Sequence, residues 1–229
     1  MNIQGYQKLS LLDYPEKTAC TVFTGGCNLR CPFCHNASLV RTPFEVKSME
    51  TEVLEYLSRR AGLLDGVCIT GGEPLLQNDL ADFTEKLKSM GYLVKLDTNG
   101  TLPDRLRTLL ATGTIDYVAM DVKSALANYH IAVGCEIDTE KIVESIRLIQ
   151  ASGIAHEFRT TAVKGIHSPS DMEAIAQLIG ASSPYFIQGF VDSGNLLGTG
   201  CAAFSDTERQ VLLASASLYN PLSRLRGND

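Results

Sequence analysis

The sequence predicts an α/β protein built around a parallel sheet, and three observations carry that reading. Short apolar, β-rich runs alternate with longer amphipathic stretches, the sequence form of parallel strands joined by crossover helices. With 229 residues, 45% of them hydrophobic and 20% charged, the chain is long enough to bury a core and short enough to form a single domain over 1–229. No stretch rich in Pro, Gly or Ser divides it, and no repeat or low-complexity segment interrupts it.

In chain order, the first strand is predicted over 18–23, a run of small and β-branched residues closed by Phe23. Glycine, cysteine and proline then break the pattern, and a helix over 48–61 begins at Ser48, a residue suited to an N-cap. The second unit joins the apolar run 66–70 to a helix over 79–90 opened by Asp79. The third joins 92–97 to 103–111, and the fourth joins 117–121 to 139–151 behind Thr139. The fifth joins 156–163 to 170–179 behind Ser170, and the sixth joins 185–190 to 205–219 behind Ser205. Six βα units result. Pattern alone leaves two architectures open, a doubly wound open sheet or a barrel of fewer than eight units. Both place functional residues at the carboxyl ends of the strands.

Charge and composition narrow the function classes. Twenty Lys and Arg stand against 26 Asp and Glu, a net charge of -6 with no basic block, which disfavours nucleic acid as the main partner. No apolar run approaches the roughly 18 residues needed to span a bilayer. The first residues lack a basic stretch followed by an apolar run, so the expected location is the cytoplasm. Seven cysteines, three of them within eight residues, point to metal binding in a reducing compartment rather than to disulfides.

The segments after the strands hold the chemistry. After the first comes Cys27-x-x-x-Cys31-x-x-Cys34 behind Gly25-Gly26, a spacing that lets one loop offer three thiolates to a compact inorganic core. A 4Fe-4S cube held by three cysteines keeps one iron free for a substrate. A structural zinc site would need a fourth ligand, and His35, adjacent to Cys34, is awkward as a second vertex of one tetrahedron. Cys20 and Cys68 sit in apolar runs and read as core, whereas Cys135 and Cys201 fall in loops with no assigned role. After the second strand, Gly71-Gly72-Glu73-Pro74 exposes backbone groups, and its Glu can accept bonds from an amine or hold the turn. The third strand ends in Asp97-Thr98-Asn99-Gly100 and the fourth in Asp121-Val122-Lys123, a mix suited to a small zwitterion or a hard cation, or to caps and turns. Arg159 in the fifth strand needs a carboxylate partner, either a ligand's or a protein side chain such as Asp121. Arg30, Arg41 and Lys47 around the cysteine loop are the basic residues that could attract a reductant. His130, His156 and His167 are scattered, and no Ser-His-Asp spacing, P-loop or HExxH supports hydrolysis or phosphoryl transfer.

Cys27-x-x-x-Cys31-x-Phe33-Cys34 followed by Gly71-Gly72-Glu73-Pro74 resembles the radical S-adenosylmethionine superfamily. Within it, Lys8-Leu9-Ser10-Leu11-Leu12-Asp13-Tyr14-Pro15, Cys34-His35-Asn36, Leu96-Asp97-Thr98-Asn99-Gly100 and Met120-Asp121-Val122-Lys123 resemble the activating enzymes of glycyl-radical enzymes. Among these, the anaerobic ribonucleoside-triphosphate reductase activating proteins are the most similar. The resemblance runs from about residue 5 to about 190 and implies an incomplete (β/α)6 barrel, in agreement with the count of units. It implies one 4Fe-4S cluster on Cys27, Cys31 and Cys34, and S-adenosylmethionine beside it. Phe33 and His35 would flank the adenosine, and Gly71, Gly72 and Glu73 would meet the methionyl amino group. Asp121, Val122, Lys123 and Arg159 would line the nucleoside or carboxylate side, and Asp97, Thr98 and Asp121 match a monovalent-cation site of the formate-lyase activators.

The activity so implied is reductive cleavage of S-adenosylmethionine to a 5'-deoxyadenosyl radical that takes a hydrogen from a glycine of a partner. That partner is expected to be the large subunit of an anaerobic ribonucleotide reductase, with flavodoxin or ferredoxin as electron donor. The rivals are activation of a formate-lyase type enzyme, a small-molecule radical enzyme such as a carboxy-deazaguanine synthase, and a non-catalytic metal-binding module. Two positions depart from the family. Glu16 stands where Gly usually follows Asp-Tyr-Pro, and Val191 stands near a cofactor-contacting His of the lyase activators.

Overall fold

The computed structural model describes residues 1–40, 48–192 and 194–227. One eight-stranded sheet runs β1(Ile3–Ser10), β2(Ala19–Thr24), β3(Gly66–Gly71), β4(Leu93–Thr98), β5(Tyr117–Asp121), β6(Ala155–Ala162), β7(Tyr185–Gly189) and β8(Ser223–Arg226), in that spatial order. β1 pairs antiparallel with β2, and every later pairing is parallel. A doubly wound sheet reverses its strand order at a switch point, so this uninterrupted order selects the incomplete barrel. β1 and β8 remain as its edges.

The helices are α1(Ala37–Val40), α2(Glu50–Ser58), α3(Leu80–Ser89), α4(Pro103–Ala111), α5(Tyr129–Val133), α6(Glu140–Ala151), α7(Pro169–Ile179) and α8(Asp206–Ser217). Each of the six expected helices is present, and the short α1 and α5 are additional. α7 and α8 start in full capping boxes, Ser168 with Asp171 and Ser205 with Glu208, which satisfy orphan N–H groups at both helix entries. The cap of α7 is therefore Ser168, two residues before the expected Ser170.

Strand alternation decides what lines the barrel. Along β4, Val94 and Leu96 enter the hydrophobic core while Lys95 and Asp97 take the opposite face, and along β5 Val118 and Met120 alternate with Asp121 in the same way. Apolar stripes such as Ile142, Ile146 and Ile149 of α6 complete the core outside the barrel. The interior is thus polar and charged, and it opens at the carboxyl ends of the strands. Among the described residues no helix is long and apolar enough to cross a membrane.

Candidate functional site

The cysteine loop leaves β2 at Thr24 and is held by backbone on several sides. Gly26 N–H donates to Leu39 O at 2.9 Å, Glu73 N–H to Gly26 O at 2.8 Å and Arg30 N–H to Val133 O at 2.8 Å, and Gly198 N–H reaches Pro32 O at 2.8 Å. Such contact tolerates no side chain: a Cβ on Gly72 would stand 1.9 Å from Gly26 O, and one on Gly134 would stand 2.4 Å from Arg30 O. The glycines after β3 therefore serve first to let two turns touch. Asn36 closes the loop by donating to Gly71 O at 3.2 Å.

Cys27, Cys31 and Cys34 all line one cavity of about 390 Å³. Burial pushes the Cys31 thiol up to about 12, with Lys123 pulling the other way, and burial also raises Cys27. These sulfurs are protonated at neutral pH unless a metal centre takes the thiolates, so loading the loop releases protons. Among the described residues no three His, Cys, Asp or Glu side chains stand close enough to share a single metal ion. The donor set therefore fits a polynuclear group taking one thiolate per corner better than a mononuclear zinc site.

Phe33 is buried and meets the His167 ring edge-on at 6.1 Å, whereas the exposed His35 lies 5.7 Å from the Phe190 ring. Both Phe33 and His35 line the cavity. His167 reads from the sequence as a scattered histidine. In the structure its Nδ1 accepts Val163 N–H at 3.0 Å and its Nε2 bonds Lys123 O at 2.7 Å, tying the β6 and β5 loops together behind Phe33.

Gly71 and Gly72 line the cavity, but the Glu73 side chain does not. It is wholly buried, with Oε1 accepting Leu75 N–H at 3.1 Å and Thr98 Oγ1 at 2.9 Å, and Oε2 accepting Asn99 N–H at 2.7 Å. Burial pushes this carboxyl up to about 7, against the pull of those three hydrogen bonds. Of the two roles the sequence allowed, the side chain occupies the turn-holding one. Asn99 extends the link, donating to Asn28 Oδ1 at 3.0 Å in the cysteine loop and accepting from Thr101 N–H at 3.0 Å.

A ladder of charges crosses the cavity wall. Lys95 bonds Asp97, Arg159 Nη1 reaches the other Asp97 oxygen at 3.3 Å, Arg159 Nε meets Asp121 Oδ1 at 2.8 Å, and Lys123 Nζ meets Asp121 Oδ2 at 2.9 Å. Arg159 thus bonds two protein carboxylates, including the Asp121 that the sequence offered, with Glu157 a third at 4.0 Å. Burial opposes the Asp121 charge, but Arg159 and Lys123 outweigh it and hold the carboxyl well below the usual range. With Glu157 counted, and Asp13 joining Asp97 and Asp121 on the cavity lining, the cations have no excess over the carboxylates. Beneath them Glu157 takes Arg226 in a bidentate pair at 2.6 and 2.8 Å. Lys95, Glu157, Arg226, Asn28 and His167 were not singled out by sequence; the period-two placement of Lys95 and Glu157 opposite apolar neighbours is the signal that could have found the first two. Val122 is fully buried, outside the cavity lining, and its backbone bonds Arg159 O and Thr160 Oγ1. Val191 is 55% exposed and does not line the cavity. Arg30 donates to the Cys27 and Leu29 carbonyls at 2.7 and 2.8 Å, while Arg41 and Lys47 lie outside the described residues.

The sequence profile of the radical SAM superfamily matches residues 21–179. Two proteins of Methanocaldococcus jannaschii, provisionally named glycyl-radical enzyme activating enzymes, are 35% identical over 82% of this chain and 79% of theirs, and 30% identical over 77% and 69%. A 7-carboxy-7-deazaguanine synthase of Hyperthermus butylicus is 44% identical, but over only 34% of this chain and 33% of its own. Among solved structures, a domain of pyruvate-formate lyase-activating enzyme from Bacteroides vulgatus superposes with a TM-score of 0.55 at 18% identity, covering 71% of this chain and 99% of that domain. Streptococcus suis SuiB bound to its precursor peptide reaches 0.69 at 15% identity, over 90% of this chain and 48% of SuiB. At those identities the likeness is one of fold.

Proposed function

The chain belongs to the radical SAM superfamily and is an oxidoreductase of that superfamily, and from that premise we propose that it activates a glycyl-radical enzyme, the large subunit of an anaerobic ribonucleotide reductase. The observation that carries the reading is the gathering of Cys27, Cys31 and Cys34 on one cavity together with Gly71, Gly72, Lys123 and Arg159. Relatives named as glycyl-radical activators match across most of both chains, whereas the deazaguanine synthase match is confined to a third.

Cys27, Cys31 and Cys34 would hold the 4Fe-4S cluster. When bound, cluster and S-adenosylmethionine supply one-electron reductive cleavage to a 5'-deoxyadenosyl radical, which takes an α-hydrogen from the partner's glycine. Phe33, buttressed by His167, and His35 would bracket the adenosine. The backbone of Gly71 and Gly72 would receive the amino group, with Glu73 setting the turn from behind. Lys123 and Arg159, with Asp121 and the Val122 backbone fixing them, would face the carboxylate. A one-electron donor such as flavodoxin or ferredoxin would deliver the electron.

The test is anaerobic reconstitution with iron and sulfide, reduction, and addition of S-adenosylmethionine with the reductase large subunit. The expected results are 5'-deoxyadenosine and a glycyl-radical signal in the partner, both lost in Cys31→Ala. 5'-Deoxyadenosine without a radical in the partner would reject the reductase assignment.

A further inference from the structure

The Asp97, Thr98 and Asp121 set does not fit an exchangeable monovalent cation. Both oxygens of each carboxylate accept from protein cations: Asp97 from Lys95 and Arg159, Asp121 from Arg159 and Lys123. The Thr98 hydroxyl is engaged elsewhere, donating to Glu73 Oε1 at 2.9 Å and accepting Gly100 N–H at 3.2 Å. A hard cation needs oxygen ligands directed at it and unneutralised charge to balance it, and this site supplies neither.

We propose that Arg159 is a built-in counter-ion standing between Asp97 and Asp121 where an exchangeable cation would otherwise sit, so that the pocket takes a ligand carboxylate without sodium or potassium. The inference rests on the reading of the ligand as S-adenosylmethionine. Arg159 is suited to the position because its planar guanidinium presents fixed donors to two carboxylates at once, a bridge that a lysine ammonium makes less well. Its place is fixed from the strand: β6 sets Arg159 opposite Asp121 of β5 in register, and the Arg159 carbonyl accepts Val122 N–H at 2.8 Å. Lys123, 18% exposed at its side chain and on the cavity lining, presents its ammonium toward the ligand. Burial penalises the Arg159 charge, yet Asp121, Asp97 and Glu157 together keep it firmly protonated.

The test is calorimetric binding of S-adenosylhomocysteine to the cluster-loaded protein in sodium, potassium and choline chloride at equal ionic strength, so that screening is held constant. Wild-type affinity is expected to differ by less than about twofold among the three salts. Arg159→Ala is expected to bind at least about tenfold more weakly in choline and to recover in sodium or potassium, because the freed carboxylate oxygens then form the missing cation site. Melting of the protein without ligand gives a second readout: potassium should raise the midpoint of Arg159→Ala over choline and leave wild type unmoved. Wild-type binding that strengthens about tenfold on replacing choline by sodium or potassium would overturn the proposal even if every variant failed to fold. Absence of binding in all three salts would instead overturn the ligand reading on which it rests.

Discussion

Glu73 Oε2 accepts the backbone N–H of Asn99 at 2.7 Å, so the turn after β3 and the turn after β4 share one buried carboxylate. Its folded pKa of about 7 lies above the ordinary value of 4.5, so the native state binds the proton more tightly than the unfolded chain. The resulting stabilisation is fully present below pH 4.5 and is lost as pH rises toward 7. Glu73→Gln does not titrate. Chemical denaturation of the metal-free protein should therefore show the wild-type advantage over Glu73→Gln shrinking by about 3 kcal/mol across that window and staying level above it. A pH-independent difference would place the carboxyl's titration outside the window.

Gly72→Ala should uncouple the cysteine loop from the β3 turn. The new methyl would meet Gly26 O at 1.9 Å, a backbone clash that only movement of the loop relieves. Iron and sulfide content after reconstitution should fall severalfold while far-UV circular dichroism stays native, because the clash is local to the rim.

Among the described residues Glu16 is the only non-glycine at positive φ, at 61°. That conformation explains why a glycine is favoured after Asp-Tyr-Pro and why Glu16 looked anomalous in the sequence. Glu16→Gly should stabilise the protein by about 1 kcal/mol in denaturant titrations, and Glu16→Ala, which keeps the Cβ, should gain much less.

His167→Ala leaves Val163 N–H and Lys123 O without their partner in a buried region, which should cost about 2–4 kcal/mol in unfolding free energy. Because Lys123 and Phe33 lose support together, binding of S-adenosylhomocysteine should weaken as well. His167→Gln, which can still donate to one carbonyl, should recover part of both losses.

The six βα units were legible because each strand is a β-rich run and each helix repeats its apolar face over several turns. β1 escaped notice because Ile3–Ser10 mixes glycine and glutamine into an edge strand that is half exposed, and β8 because Ser-Arg-Leu-Arg is too short and polar to show a period. The cysteines, the glycine pair and the strand-end charges announced the rim by residue type and spacing. What sequence could not assign was the partner of each polar group. Glu73 and Thr98 could equally have faced a ligand, and only the fold turns them toward each other. Asn99 reads as a turn former because such residues are common in turns, and nothing in the sequence marks Asn28 or Thr101 as its partners, yet bonds from Asn28 to Asn99 and Thr101 join segments about 70 residues apart.

The braces of the cysteine loop come from Asn99, Gly134 and Gly198, all encoded long after it. A ribosome adding about 5–20 residues per second would expose the three thiols for roughly 5–20 s before Gly134 is even made. During that interval the loop is an unsupported tripod open to oxidants and competing metals. Biogenesis of the active protein therefore favours cluster delivery after the last strands have closed around the rim.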